Sequence, residues 1–259
     1  MTPFSDLLAS LKPSGDAFTV EVSPDWMQGR TTYGGLSGAI CVEAARRAIP
    51  DLPRLRSAQF AFIGPAGRAM TVTPRVLRQG KSSVYVGVDL EGEQGLATRA
   101  ILTYGAARPT AYEHADAPAP KALPIEDGKP FFRSGGPNFS QHFEARIAGG
   151  QGLVTQGQPE LLIWLRHQDP NAGVGEAALV ALGDVAPPAA MAMFTAFAPI
   201  SSMTWSLDVV EEPEPDTDWF LMSSRGEAVA DGYSSQNMGL WTASGRPVIL
   251  SRQTVAIFA

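Results

Sequence analysis

The chain is 259 residues long, 44% hydrophobic and 18% charged, with a formal net charge of −6. This is the composition of a globular chain with a sizeable core, and the acidic balance argues against nucleic acid as a partner. A single cysteine, Cys41, excludes a disulfide framework, and no apolar run reaches the roughly 20 residues needed to span a bilayer, so no membrane partner is expected.

In chain order, the opening MTPFSDLLASLKPSGD lacks the basic start and apolar core of a secretory signal, which points to a cytoplasmic protein. Residues 17–22 alternate, with Phe18, Val20 and Val22 on one face of a first strand. Residues 31–48 then read as a helix: Leu36, Ile40, Cys41, Ala44, Ala45 and Ala48 recur at helical spacing. Glu43 and Arg47 form an i,i+4 pair near its end, and Pro50 stops it. Its first turns hold Gly34, Gly35, Ser37, Gly38 and Ala39. Each glycine weakens a helix by roughly 1 kcal/mol against alanine, so this density implies a close approach, with either something binding near the helix start or a plain buried helix that holds no ligand. Four strand-like runs follow, over residues 55–63, 70–78, 82–90 and 96–104, of which 84–90 is strictly period-two.

From about residue 108 the pattern breaks. PTAYEHADAPAPKALPIEDGKP is rich in Pro, Ala and acid and reads as a linker. Beyond it, residues 138–147 and 161–167 read as strands and 176–182 as a short helix. Residues 187–197 (PPAAMAMFTAF) read as a second buried helix, and 203–210, 219–227, 234–242 and 248–258 as strands. Met191, Met193, Phe194 and Phe197 on that second helix are candidate walls of a ligand tunnel, with ordinary core as the alternative. A shift of 152 residues lays Gly80-Lys81-Ser82-Ser83 on Gly232-Tyr233-Ser234-Ser235, Gly87 on Gly239, Leu96 on Val248 and Leu55 on Leu207. With the same element order in both halves, this predicts a tandem repeat: residues 1–107, a linker over 108–130, and residues 131–259. The first 110 residues carry +3 and the rest −9, so a mildly basic half precedes an acidic one. A phosphate-bearing small ligand or ordinary solvated charge would account for it.

With these runs in place, the chain resembles the double hot-dog acyl-CoA thioesterases of the acyl-CoA thioesterase II type. The residues that carry the resemblance are Tyr33-Gly34-Gly35, the strand and turn over 60–67, Arg78-Gln79-Gly80-Lys81-Ser82, Ser206-Leu207-Asp208 and Ser251-Arg252-Gln253-Thr254-Val255. It implies an α+β tandem (double) hot-dog fold: two antiparallel sheets, each wrapped around a long central helix and joined into one continuous sheet. The activity it implies is hydrolysis of acyl-CoA thioesters to free fatty acid and CoA, with no cofactor or metal, acyl-CoA as the small-molecule partner, and a monomer or a homo-oligomer left open. Asp184, Ser206 and Gln253 match the catalytic positions of that family, with Ser206 in a place otherwise held by Thr. Tyr33, Gly34 and Gly35 become the candidate substrate-binding residues.

Each residue also has a plainer reading. Asp184 in Gly-Asp-Val-Ala-Pro-Pro would cap a following helix. Ser206 alternates with Trp205 and Leu207 and shares a face with Thr204 and Asp208, as on a solvated strand, and Asp208 rivals Asp184 as the acid. Gln253 shares a face with Ile249, Val255 and Ile257, where a buried amide needs a partner. By the 152-residue shift Gln253 falls on Ile101, Asp184 on Thr32 and Ser206 on Arg54, so the first copy lacks the set. His142 and His167 have no metal-type spacing, and Cys41 reads as packing. A non-catalytic acyl-CoA or hydrophobic-ligand binding protein is the alternative.

Overall fold

The structure is a computed structural model that describes residues 1–132 and 135–258. Helix α1 (Phe4–Ala9) precedes β1 (Lys12–Ser14), β2 (Ala17–Glu21), β3 (Met27–Gln28) and β4 (Thr31–Thr32). Helix α2 (Gly34–Ala48) leads into β5 (Leu55–Phe62), β6 (Ala69–Gln79), β7 (Ser83–Gly92) and β8 (Gly95–Gly105). The second half holds β9 (Phe143–Gly150), β10 (Glu160–His167), α3 (Glu176–Leu182), β11 (Ile200–Val209), β12 (Phe220–Ala230), β13 (Tyr233–Thr242) and β14 (Pro247–Ile257).

Twelve of these strands form one sheet in the order β1-β2-β6-β7-β8-β5-β11-β14-β13-β12-β10-β9, antiparallel throughout. Six strands come from each half, and they meet where β5 pairs with β11. The sheet is therefore continuous, whereas the helices are unequal. Helix α2 has 15 residues and α3 only seven.

Helix α2 forms as its periodicity predicts. Leu36, Ile40, Cys41, Ala44 and Ala45 are wholly buried, and Arg46 and Arg47 in the last turn suit the negative end of the helix dipole. Arg47 pairs with Glu43 at 2.6 Å, while Arg46 reaches Glu176 at the start of α3 at 2.5 Å. The glycines allow a close approach, as expected. A Cβ on Gly35 would lie 2.8 Å from the Ala181 carbonyl oxygen, and one on Gly38 would lie 3.0 Å from Val180.

The helix expected over 187–197 does not form. Only Ala189–Met193 makes a 3-10 turn. Its backbone groups are committed elsewhere: the Ala189 N–H donates to Gln236 Oε1 at 3.0 Å. The Met191 carbonyl accepts from Val154 N (2.9 Å), and that of Ala192 accepts from Gly157 N (3.1 Å). An α-helical ladder would need those two carbonyls for the N–H groups four residues on. Met193 and Phe197 are accordingly exposed and line no buried core.

The proline-rich segment has a job the sequence did not show. Ala148, Leu162, Trp164, Leu221 and Trp241 form an apolar cluster separate from the main core, with Ala119, Ala122 and Ile125 packed against it. Trp164 donates to the Leu123 carbonyl and Trp241 to that of Ala117, both at 2.8 Å. The segment thus straps an apolar face of the second half. The N-terminal helix carried no clear signal in the sequence either, and it ties the halves together. Phe4 packs on Trp26 and His167, and the Ser5 N–H donates to Asp169 at 2.8 Å. No helix among the described residues is long and apolar enough to cross a membrane.

Candidate active site

Asp184 lies just beyond α3, where the chain passes the start of α2. Helix α2 has no side-chain cap of its own: its N-cap residue is Tyr33, whose side chain makes no capping bond. The Asp184 carboxylate, from the other half of the chain, instead stands at this helix start, where the Gly35 N–H helps to hold its pKa down. The sequence pointed to Asp184 as the cap of the segment after it. Gly34 makes room for this contact, since a Cβ there would lie 2.7 Å from Asp184 Oδ2.

Gln253 comes from the opposite direction. It sits on the inner face of β14, 3% exposed, and its Nε2 donates to Asp184 Oδ1 at 2.5 Å. Its own carbonyl accepts from Gln236 Nε2 at 3.0 Å, and the Gln236 carbonyl accepts from the Ala189 N–H at 3.0 Å. This three-link chain fixes which way the Gln253 amide points: oxygen toward Gln236, nitrogen toward Asp184. Gln236 was not singled out from the sequence. The signal was weak, because Gln236 shares the inward face of its strand with the polar Ser234 and Thr242 as well as with Met238 and Leu240.

The Asp184 carboxyl is half-buried. Burial pushes its pKa up, to about 7, against the opposing pull of the Gln253 and Gly35 hydrogen bonds. A carboxyl poised near neutrality is suited to accept a proton during a reaction.

The other expected residues fall differently. Ser206 is exposed and points away from the site. In the β11–β14 register it stands opposite Arg252, while Trp205 stands opposite Gln253. Successive strand residues face opposite sides, so Ser206 and Gln253 cannot share one. Asp208 lies on the same outer face as Ser206 and is exposed, so Asp184, not Asp208, is the carboxylate beside Gln253. Tyr33 is 1% exposed, with its hydroxyl donating to the Ala181 carbonyl at 2.7 Å and its ring stacked on Phe139. It clamps α3 to α2. Of the Tyr33-Gly34-Gly35 set, only the two glycines touch the site, through the space and the N–H they provide. Cys41 is buried, and burial drives its thiol up to about 12, as suits a packing residue.

Protein-family models match both halves: "Acyl-CoA thioesterase N-terminal domain" over residues 22–105, and "Acyl-CoA thioesterase C-terminal domain" over residues 113–257. No curated protein matches the chain. Among solved structures, a conserved protein of unknown function with a hot dog fold from Alicyclobacillus acidocaldarius is 21% identical. It superposes with a TM-score of 0.88 over 99% of this chain and 98% of that one. A tesB protein from Mycobacterium avium subspecies paratuberculosis is 18% identical, with a TM-score of 0.80 over 99% of both chains. Acyl-CoA thioesterase II TesB2 from Mycobacterium marinum is 15% identical, with a TM-score of 0.76 over 97% of both. The structural likenesses establish the hot-dog fold, and the family matches cover most of the sequence, so the chain belongs to the acyl-CoA thioesterase family and is a thioester hydrolase.

Proposed function

We propose that this protein hydrolyses acyl-CoA thioesters to a free fatty acid and CoA by direct attack of water, with Asp184 as general base and Gln253 positioning the water. The observation that carries this reading is the 2.5 Å contact between Gln253 and Asp184 at the glycine-rich start of α2. Ionised Asp184 takes a proton as the water oxygen bonds to the thioester carbon, and the carbonyl electron pair moves onto oxygen. Collapse of that tetrahedral species breaks the C–S bond, and the proton returns from Asp184 to the CoA sulfur. No covalent enzyme intermediate is required.

In this reading the fold is a tandem hot-dog divided at 1–107 and 131–259, with the proline-rich strap between. The first half supplies a helix start and the second supplies the reacting side chains. Acyl-CoA is the small-molecule partner and the compartment is the cytoplasm.

A second reading has one specific observation in its favour. The hydroxyl expected at Ser206 faces away from Gln253, as it would in a non-catalytic acyl-CoA or hydrophobic-ligand binding protein. Thiol release and equilibrium binding, measured on one panel of acyl-CoA chain lengths, separate the two. Release at some chain length is expected. Tight binding with no release at any length would favour the second reading.

A further inference from the structure

We propose that the indole N–H of Trp205 donates a hydrogen bond to the thioester carbonyl oxygen of the substrate, taking up the charge that develops there. The inference rests on the thioesterase reading above and identifies a donor that reading leaves unassigned.

Trp205 is 1% exposed and stands directly opposite Gln253 in the β11–β14 register, on the same inner face of the sheet. On its other side it pairs with Phe60 of β5, and the two rings stack with centroids 5.4 Å apart. The indole also lies against the residue that precedes Asp184. A Cβ on Gly183 would come within 2.9 Å of Trp205 Cζ2, the ring carbon next to the one that bears Nε1. The indole ring is therefore packed between Phe60 and the backbone leading into Asp184, beside Gln253 on the same face.

That N–H has no hydrogen-bond partner, although Nε1 is buried. The other buried tryptophans differ. Trp26, Trp164 and Trp241 each donate, to the carbonyls of Thr2, Leu123 and Ala117 at 3.0, 2.8 and 2.8 Å. Leaving a buried donor unpaired is unfavourable, so an unpaired indole N–H on a ring packed against the residue before Asp184 is a feature in need of an acceptor. The acceptor this reaction offers is the carbonyl oxygen, whose negative charge grows in the transition state. The equivalent place in the first half carries Phe60, which has no donor at all.

The test is Trp205→Phe, which removes the N–H and keeps an aromatic ring. A fall in kcat of roughly 10- to 100-fold with KM raised only about fivefold is expected, because the bond strengthens in the transition state. A kcat within about twofold of the parent overturns the proposal. Should the phenylalanine variant fail to fold, benzothienylalanine placed at this position keeps the bicyclic shape with sulfur in place of N–H, and the same criteria apply. Binding of two unreactive CoA conjugates separates this contact from the hydrolase reading itself. One is a ketone with CH2 in place of sulfur, and the other is a thioether with no carbonyl. The parent should prefer the ketone by about fivefold or more, and the variant should lose that preference. A parent that releases no thiol yet prefers the ketone, with the preference lost in the variant, would sink the hydrolase reading and uphold Trp205. Equal binding of both conjugates by the parent overturns Trp205, whatever the hydrolysis assay shows.

Discussion

The two sides of the β5–β11 seam carry the same construction with opposite chemistry. On the first side Phe60 lies under Gly38 of α2, pairs with Ala100 of β8, and Ala100 pairs in turn with Val88 of β7. On the second side Trp205 lies under Gly183 at the end of α3, pairs with Gln253 of β14, and Gln253 pairs with Gln236 of β13. Three inward positions are apolar in one half and polar in the other. Buried amides are kept only where each is hydrogen-bonded, and here they form a single chain that ends on Asp184. The first half keeps the architecture and contributes backbone: the Gly35 N–H, and the space left at Gly34.

The comparison breaks most sharply at Asp184. Replacement by Asn removes the base while leaving an acceptor for Gln253 and the Gly35 N–H. A loss in kcat of roughly 10²- to 10⁴-fold is expected in a thiol-release assay, with the circular dichroism spectrum unchanged. In the parent, kcat/KM should rise with pH through a midpoint at about 7, because only the ionised carboxylate accepts a proton. A flat profile between about pH 5 and 8 would remove Asp184 from the mechanism.

Gln253→Ala is the next test, with an expected loss of about 10- to 100-fold. It should also move the pH midpoint. The Gln253 hydrogen bond holds the Asp184 pKa down, so its removal shifts the midpoint upward. A purely structural role for Gln253 would lower activity at every pH equally and leave the midpoint in place.

The reverse swap, Ala100→Gln, tests whether the first half has any latent capacity. Ala100 is fully buried with no polar chain waiting for it, so the added amide is both overpacked and unsatisfied. A stability loss of about 2–4 kcal/mol in denaturant titration is expected, with no new activity. Tolerance of the substitution without loss would mean that the polar chain in the second half is not what makes a buried amide acceptable there.

Much of this was legible in the sequence, and the exceptions have physical causes. Alternation located the strands, and α2 was marked by its periodicity and its glycines. Gln253 stood out as an amide on an apolar strand face. Ser206 shows the limit of matching by position. Alternation put it on the solvated face with Thr204 and Asp208, and the structure agrees with alternation. One residue along a strand changes the face, so a correspondence off by one assigns the wrong side chain. The same slip explains Ile101: the gapless shift of 152 matched it to Gln253, yet Ile101 is 40% exposed, and the residue in Gln253's place is Ala100. The contact between Asp184 and α2 had no local signal, because its partners are distant in the chain and meet only after the halves pack. Nor could composition show that the small residues of 187–197 would lose their helix to long-range backbone bonds.

The smallest expected effect concerns stability, and it runs opposite to the effect on activity. The Asp184 carboxyl has a folded pKa of about 7 against an ordinary 3.8, so the folded state binds its proton more tightly than the unfolded chain does. The resulting stabilisation is complete below about pH 4 and is lost as the pH rises to about 7. The Asp184→Asn variant carries a neutral amide there at every one of these pH values and escapes the loss. A shift of about three units corresponds to at most about 4 kcal/mol, reduced by the partial exposure of the carboxylate, and each kcal/mol moves Tm by roughly 2–4 °C in a domain of this size. Asp184→Asn should therefore melt about 2–6 °C above the parent at about pH 8, with the gap closing toward about pH 4. A variant more stable and nearly inactive would show that the second half holds its carboxylate at a cost in stability that the first half, with Phe60, Ala100 and Val88, does not bear. A gap that is constant with pH would locate the stability effect in packing and leave the charge out of it.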